Sequence, residues 1–322
     1  MYILNEKALI AAVNFDALIA KMEETMVFAD EGRFEMPLRS NLTINGRDSL
    51  MLMPCVTDSA WGCKLLTLRP ENPGKGRPFL NGAVMLFDAE TGETKALLEG
   101  KTVTALRTAA VAGAGLKNTA NPEAQSLGLI GTGVQGFWQP QFGCAACKNV
   151  KEIRVYDRMT EKLPEFIERL AAVLPKHKIT IAESPTEILE NCEVIMTATP
   201  ATAPLFPDSQ ELVRGHAFSG IGSYLPEMRE FPDAVIKEAG NNIYVDTPHA
   251  LDETGDLITP MKSGVLKREN IHTLAELITG KAGSTGNTTF FKSVGMALFD
   301  LTAADYLCAE AAAKGLGDKV EF

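Results

Sequence analysis

One glycine-rich turn, placed between a predicted buried strand and a predicted helix, constrains the fold of this chain more than any other feature. The turn occupies residues 131–136 (GTGVQG) and follows the apolar run at residues 127–130. Asp157 comes about 20 residues later, at the end of the next predicted strand. A strand, a GxGxxG turn, a helix and an acid in this order are typical of a βαβ unit that binds a dinucleotide.

Each part of this motif has a physical role in such a site. Gly131 permits the tight turn, Gly133 lets the backbone approach a pyrophosphate, and Gly136 lets the helix pack closely on the strand. The N–H groups at the start of the helix then face the phosphates. A carboxylate at Asp157 accepts hydrogen bonds from ribose hydroxyls and favours NAD, whereas the neighbouring Arg158 suits the 2′-phosphate of NADP. NAD(H) is the expected cofactor, and NADP(H) stays open.

From residue 126 onward, predicted strands and helices alternate at the spacing of a doubly wound parallel sheet. We expect about six strands in this sheet. Thr197 and Thr199 close one strand and are expected at its carboxyl edge, where ligands bind in such sheets. The predicted strands are residues 126–130, 152–156, 178–182, 194–198, 217–221 and 242–245, and the predicted helices between them are residues 137–148 and 160–174.

The first hundred residues have a different pattern, which predicts an α+β domain. A helical pattern at residues 9–31 precedes strand-like runs at residues 49–54, 62–68 and 83–88, with turn residues between the runs. The chain therefore combines a Rossmann-type α/β domain with a second, α+β domain.

The domain boundary is expected after an Ala-rich helix at residues 102–117, which ends in a turn. A last helical pattern, at residues 293–313, is expected to return to the first domain because the predicted parallel sheet already has its crossovers. The predicted domains are residues 1–118 together with 296–322, and residues 119–295.

Charge and composition exclude several classes of function. The chain has 41 acidic and 31 basic residues, and its formal net charge of −10 would repel nucleic acid and anionic lipid. The sequence has no run of about 18 apolar residues and no basic-then-apolar N-terminus, so we expect no membrane partner and a cytoplasmic location. The six cysteines are sparse, and Cys144 and Cys147 form a CxxC inside a predicted helix. Because a structural zinc site needs four ligands, no second CxxC exists and no pair of histidines has metal-ligand spacing, we expect no metal.

Three cations in the first 110 residues are candidates for binding an acid. Arg39 follows a Met-Pro-Leu segment, Lys64 lies in a predicted strand, and Arg107 lies in a helix among Ala and Val residues, an unusual place for a solvated charge. Taken one at a time, each is also compatible with an ordinary surface cation.

Five motifs together resemble those of the ornithine cyclodeaminase/mu-crystallin family, in the family's order over nearly the whole chain. They are residues 37–39 (PLR), 62–64 (GCK), 100–110 (GKTVTALRTAA), 131–136 and 291–297 (FKSVGMA). The resemblance implies an N-terminal domain for substrate binding and dimerisation, completed by the C-terminal helix, and a Rossmann domain between. It also implies a homodimer in which Arg39, Lys64 and Arg107 surround the carboxylate of an amino or imino acid beside the nicotinamide.

Two departures distinguish members of the family. Met51 stands where true ornithine cyclodeaminases resemble one another in having a Glu for the distal amine, and Ser223 stands where they have an Asp that handles protons. Without these carboxylates the chain lacks the acid–base groups that cyclodeamination uses. Residues 223–230 (SYLPEMRE) look instead like the branch of mu-crystallin and the imine reductases.

The sequence therefore predicts an NAD(P)H-dependent reductase of a small imino acid, such as pyrroline-2-carboxylate or the imine of a keto acid. The alternatives are an ornithine cyclodeaminase that forms proline and ammonia with recycled NAD, and a crystallin-like NAD(P)H-binding protein without required turnover. Lys64 and Arg107 are the catalytic candidates, Lys64 as a proton donor if burial among cations lowers its pKa. The candidate substrate-binding residues are Arg39, Met51, Lys64, Arg107 and Ser223. The candidate cofactor-binding residues are Gly131, Gly133, Val134, Gln135, Gly136, Asp157, Arg158, Thr197, Thr199, Ser223 and Lys292.

Overall fold

A computed structural model describes residues 1–283 and 287–321. The chain divides into two compact units, the first formed by Met1–Arg107 with Met296–Phe322 and the second by Thr108–Gly295. The division lies inside the helix Gly100–Thr119, whereas the sequence placed it after residue 118. The turn after Thr119 ends this helix, but the boundary between the two units lies earlier, between Arg107 and Thr108.

The elements follow one another along the chain in this order. The strands are β1 (Tyr2–Leu4), β2 (Phe34–Glu35), β3 (Ser40–Ile44), β4 (Asp48–Thr57), β5 (Trp61–Leu68), β6 (Leu80–Phe87), β7 (Thr94–Glu99), β8 (Ser126–Ile130), β9 (Glu152–Tyr156), β10 (Lys178–Ile181), β11 (Val194–Thr197), β12 (Ala217–Gly220), β13 (Ile243–Val245), β14 (Ile271–Thr273), β15 (Thr289–Lys292) and β16 (Asp318–Lys319). The helices are α1 (Glu6–Ala12), α2 (Phe15–Asp30), α3 (Gly100–Thr119), α4 (Val134–Ala146), α5 (Leu163–Val173), α6 (Pro185–Asn191), α7 (Gln210–Val213), α8 (Asp233–Ala239), α9 (Ala250–Glu253), α10 (Gly255–Lys262), α11 (Leu274–Ile278) and α12 (Ala297–Ala313). Short 3-10 turns lie at Pro73–Lys75, Thr160–Lys162 and Arg268–Asn270.

The first unit is an α+β domain built on one mixed sheet of order β16-β1-β7-β6-β5-β4-β2, with β3 paired to β4. Strands β4 to β7 form an antiparallel meander, and α12 packs on β4, β5 and β6 and on α2. Gly62 lets α12 approach, because a Cβ there would lie 2.8 Å from Leu301 Cδ1. The C-terminal helix thus belongs to the core of the first unit.

The predicted helix at residues 9–31 is two helices, α1 and α2. Asn14 separates them because its side-chain oxygen accepts a hydrogen bond from Ala17 N–H and caps the start of α2. The preceding residue, Val13, has an extended backbone and ends α1. A polar cap inside an otherwise helical pattern is the physical reason for the break.

The second unit is a doubly wound parallel sheet of order β10-β9-β8-β11-β12-β15-β13-β14, with a buried apolar cluster on each face. The predicted Rossmann-type fold class is confirmed. The predicted number of about six strands is too low, because β14 is very short and β15 comes late in the chain and inserts between β12 and β13. The strand order reverses between β8 and β11, and such a point is where ligands bind in open α/β sheets.

No helix within residues 1–283 and 287–321 has the length and apolar character that crossing a membrane requires.

Candidate active site

The glycine turn connects β8 to α4 in a geometry that only glycine fits. Gly131 has a φ of +103°, and a Cβ there would lie 2.6 Å from the carbonyl oxygen of Ala198. A Cβ at Gly136 would lie 1.9 Å from Gly131 O. By contrast, a Cβ at Gly133 would meet nothing within 4 Å, and no side chain caps α4 there. Gly133 therefore leaves room for a pyrophosphate to approach the start of α4, where helix N–H groups bind such anions.

The other candidates on this side of the sheet flank the turn. Val134 is 58% exposed and Gln135 is half-buried, both in the first turn of α4. Asp157 Oδ2 accepts hydrogen bonds from the N–H and the hydroxyl of Thr132, each at 2.8 Å, and its Oδ1 accepts one from Met159 N–H. Arg158 beside it is exposed. Asp157 thus braces the glycine turn, a role that the sequence did not predict, and its oxygens keep further lone pairs for ribose hydroxyls.

The loops after β11 and β12 meet at a buried carboxylate, Glu230. Its Oε1 accepts hydrogen bonds from the N–H and the hydroxyl of Thr199, each at 2.8 Å, and its Oε2 accepts them from Gly222 N–H and Ser223 N–H at 2.9 and 3.2 Å. Thr197, at the end of β11, is fully buried. Glu230 therefore joins the loops that follow β11 and β12, and contact of Thr197 and Thr199 with the cofactor stays a prediction.

Two candidates of the second unit have partners inside the protein. Ser223 is fully buried, its hydroxyl donates to Met228 O at 2.7 Å and it shares a 2.5 Å hydrogen bond with Thr254. Lys292 is also fully buried, with its Nζ 3.0 Å from Asp256 Oδ2 and 4.0 Å from Glu230 Oε2. Both side chains therefore lie in the interior of the second unit and have partners within it, and direct contact of either one with a ligand stays a prediction.

In the first unit, two of the three predicted cations meet at one carboxylate. Lys64 on β5 lies with its Nζ 2.5 Å from Asp300 Oδ2, and Arg107 Nε on α3 donates to Asp300 Oδ1 at 2.8 Å. The Lys64 side chain is 2% exposed and that of Asp300 1%. Arg39, half-buried before β3, lies close enough for its charge to lower the pKa of Lys64. We call these four residues the cation cluster.

Burial sets the acidity of this cluster. Desolvation lowers the pKa of Lys64 to about 8, and the positive charges of Arg107 and Arg39 act in the same direction, while Asp300 opposes them. The nearby Cys55 thiol has its pKa raised to about 12 by burial and by the charge of Asp300, so it stays protonated. Lys64 is therefore a buried ammonium that can release its proton near neutral pH.

Met51 shares the sheet face of Lys64. In the register of β4 and β5, Met53 pairs with Lys64 and Met51 pairs with Leu66, and alternate residues of a strand point to one face. Met51 therefore places an uncharged thioether on the sheet face that carries Lys64.

Three buried acids of the site, Asp300, Glu230 and Asp256, were not predicted from the sequence. Asp300 had a signal in the sequence, since it is an acid inside the apolar run ALFDLTAA of the last helix.

Among residues 1–283 and 287–321, no group of three or more His, Cys, Asp or Glu side chains is placed to hold a metal. Burial raises the pKa values of Cys144 and Cys147 to about 12 and 11, so neither thiol is activated.

Comparison with known proteins gives consistent relationships over the full chain. The sequence is 34% identical over 330 residues to the Δ1-pyrroline-2-carboxylate reductase of Bacillus cereus, covering 98% of this chain and 100% of that protein. The structure of the Δ1-pyrroline-2-carboxylate reductase of Thermococcus litoralis, in complex with NADH and L-proline, superposes with a TM-score of 0.90 at 29% identity, covering 99% of this chain and 100% of that one.

A second solved structure, an archaeal alanine dehydrogenase dimer with bound NAD, superposes with a TM-score of 0.86 at 25% identity, covering 100% of this chain and 99% of that one. The model of the ornithine cyclodeaminase/mu-crystallin family matches residues 2–315. The resemblance read from the five motifs is confirmed, and the chain belongs to the ornithine cyclodeaminase/mu-crystallin family.

Proposed function

We propose that this chain is an NAD(P)H-dependent reductase of a small cyclic imino acid, with Δ1-pyrroline-2-carboxylate as its first candidate substrate and proline as the product. The observation that carries the proposal is the buried surplus of positive charge in the cation cluster, in a chain that also has an open glycine turn. The relatives named as pyrroline-2-carboxylate reductases support the same reaction.

The cation cluster suits the carboxylate of the substrate. Lys64 and Arg107 share one carboxylate, that of Asp300, so positive charge remains for an incoming anion. Each charge-assisted hydrogen bond to a desolvated carboxylate contributes about 1.5–3 kcal/mol. Because Asp300 already holds both cations in place, little conformational entropy is lost when a ligand binds.

The reduction needs a proton at nitrogen as well as a hydride at carbon. The reduced nicotinamide, when bound, supplies the hydride. We assign the proton to Lys64, whose Nζ carries it at neutral pH and releases it near pH 8. Asp300 keeps the ammonium charged by opposing the cost of burial, so the residue can donate at physiological pH.

For the cofactor, Gly131, Gly133 and Gly136 fit a dinucleotide pyrophosphate, because the first and third allow the close approach and the second leaves it open. Asp157 favours NADH over NADPH, since a 2′-phosphate would meet a like charge. A higher kcat/KM with NADH than with NADPH is the expected result, and the reverse order would assign the 2′-phosphate to Arg158.

Cyclodeamination lacks its acid–base groups in this chain. Met51 offers a thioether on the sheet face of Lys64, and the Ser223 hydroxyl is committed to Met228 and Thr254. Neither residue can take up or deliver a proton at a reacting carbon. The structure thus favours the reductase over the cyclodeaminase alternative.

The first unit also has an apolar surface suited to a second copy of this chain. Trp61 and Leu65 on β5 and Val56 on β4 are 40, 43 and 37% exposed, on the sheet face opposite Lys64 by strand alternation. Leu42 and Ile44 on the paired strand β3 are 57 and 47% exposed. Exposed apolar patches of this kind mark interfaces, and the dimer of the archaeal relative supports a homodimer here. Light scattering after size exclusion should give a dimer for the native protein and a monomer for Leu65→Lys.

We also propose a cytoplasmic location, which the six free thiols and the use of a reduced pyridine nucleotide favour.

The reaction is tested by following NADH absorbance with pyrroline-2-carboxylate, piperideine-2-carboxylate and keto acids plus amines. We expect NADH oxidation with at least one cyclic imino acid and an equal amount of amino acid formed. If none of these substrates causes NADH oxidation, the proposed reductase activity is rejected. Proline formed from ornithine without net change in NADH establishes the cyclodeaminase instead.

A further inference from the structure

Three charged side chains lie fully buried in the second unit, beneath the ends of β11 and β12. Glu230, Asp256 and Lys292 are 0, 1 and 0% exposed. Lys292 Nζ lies 3.0 Å from Asp256 Oδ2 and 4.0 Å from Glu230 Oε2. We call these residues the carboxylate cluster. Burying such charges is costly unless hydrogen bonds satisfy them, so their arrangement needs an explanation.

Glu230 uses both of its oxygens to connect two loops. Oε1 accepts from the N–H and hydroxyl of Thr199, in the loop after β11, and Oε2 accepts from the N–H groups of Gly222 and Ser223, in the loop after β12. Four donors on one buried carboxylate fix both loops relative to each other.

Asp256 and Lys292 contact Glu230 and fix its position. Asp256 Oδ1 accepts hydrogen bonds from Glu230 N–H at 2.7 Å and Phe231 N–H at 3.0 Å, and its other oxygen faces Lys292. Lys292 is the last residue of β15, directly beside Gly220 of β12 in the sheet register. The carboxylate cluster thus ties the loop segment carrying Glu230 to the sheet and to α10.

The loops after β11 and β12 pack tightly on each other, and the loop after β11 also packs on the glycine turn. A Cβ at Gly222 would lie 2.2 Å from Thr199 O and 2.5 Å from Glu230 Oε1. The carbonyl of Ala198, in the loop after β11, is the group that a Cβ at Gly131 would meet at 2.6 Å. The loops fixed by Glu230 therefore border the crevice at the switch point, on the half of the sheet opposite the adenosine-binding half.

We propose that Glu230, held by Asp256 and Lys292, is a positioning residue for the nicotinamide half of the cofactor. It fixes the loops at residues 198–199 and 221–223 in the shape that receives the nicotinamide ring and its ribose. Glu230 touches neither the cofactor nor the substrate and acts through the N–H groups it holds. The inference rests on the use of a dinucleotide in the proposed function. It adds the residue that positions the nicotinamide ring for hydride transfer.

The test compares NADH with ADP-ribose, which lacks the nicotinamide, in calorimetric binding to the native protein and to Glu230→Gln. A Gln side chain can serve only one of the two pairs of donors, because its amide nitrogen is no acceptor. We expect the Kd of NADH to rise about tenfold or more and the Kd of ADP-ribose to change less than about twofold. Glu269→Gln, a 75% exposed carboxylate in the same unit, is the control and should change neither value.

Turnover adds an independent readout. If the ring is held in a looser geometry, hydride transfer slows, and the primary isotope effect on kcat with 4-deuterated NADH should rise in Glu230→Gln. Equal weakening of NADH and ADP-ribose, or no weakening of NADH, overturns the proposal. Should Glu230→Gln fail to fold, Asp256→Asn, which keeps an oxygen acceptor, decides by the same two binding constants.

The outcome is separable from that of the proposed reaction. Selective loss of NADH affinity in a protein that reduces no imino acid upholds the positioning role and rejects the reductase. Reduction of an imino acid without that selectivity does the opposite.

Discussion

In the cation cluster of the first unit, positive side chains outnumber carboxylates, whereas in the carboxylate cluster of the second unit, carboxylates outnumber positive side chains. In the first, Lys64 and Arg107 share one carboxylate, Asp300. In the second, Glu230 and Asp256 share one ammonium, Lys292. Lys64, Arg107 and Asp300 are buried, as are all three residues of the carboxylate cluster, so contact with solvent does not explain either surplus.

The difference shows what each surplus is for. The extra negative charge of the carboxylate cluster is matched by N–H groups of the chain itself, at Thr199, Gly222, Ser223 and Phe231. That cluster is therefore a part of the scaffold. The extra positive charge of the cation cluster is suited to an anion from outside the chain, and we assign it to the substrate carboxylate.

The largest effect that tests this distinction is expected from Lys64→Ala. Loss of both a carboxylate contact and the proton donor should lower kcat/KM for the imino acid about 10²- to 10⁴-fold, with NADH binding unchanged. The matched control is Lys95→Ala, because Lys95 also pairs with an acid on α12, Asp305, at 2.5 Å, but has a 40% exposed side chain. Turnover that survives in Lys64→Ala would show that the cation cluster is structural and that the proton comes from another donor.

A smaller effect is expected from Asp300→Asn, which removes the charge that supports Lys64. Asp300 raises the pKa of Lys64 against burial, so the amide should lower that pKa below about 8. Since the protonated form is the donor, activity is lost as pH rises through the pKa, and the alkaline limb of the pH profile should move to lower pH. We expect kcat/KM at pH 7 to fall about tenfold to 100-fold. An unmoved alkaline limb would remove Lys64 from the proton transfer.

The smallest effect is expected from Arg39→Gln, and its sign is opposite. Arg39 lowers the pKa of Lys64, so its removal should move the alkaline limb slightly to higher pH. The loss of one cation should raise KM for the imino acid about tenfold while kcat changes little. Limbs that shift in the same direction in Arg39→Gln and Asp300→Asn would contradict the electrostatic account of the cation cluster.

Local features of the site were predictable from the sequence. The glycine turn at residues 131–136 is such a feature, because its strand, turn and helix are adjacent along the chain and each glycine answers a short-range steric demand. Lys64 and Arg107 were singled out by residue type and by motifs, and the structure brings them together.

Pairings between distant parts of the chain were not predictable in the same way. Asp300 meets Lys64 and Arg107 only because α12 returns to the first unit, and Glu230 meets Lys292 only because β15 inserts beside β12. For the same reason the sequence did not predict the internal partners of Ser223 and Lys292, two candidates for ligand binding. A buried charge in an apolar run is the signal that such a pairing leaves in the sequence.

The most direct test of the central claim is the stoichiometry of NADH oxidised to proline formed from Δ1-pyrroline-2-carboxylate, measured for the native protein, Lys64→Ala and Lys95→Ala. We predict one proline for each NADH in the native protein and in Lys95→Ala, and a loss of both signals in Lys64→Ala. NADH consumption without proline formation, or undiminished turnover in Lys64→Ala, would contradict the account.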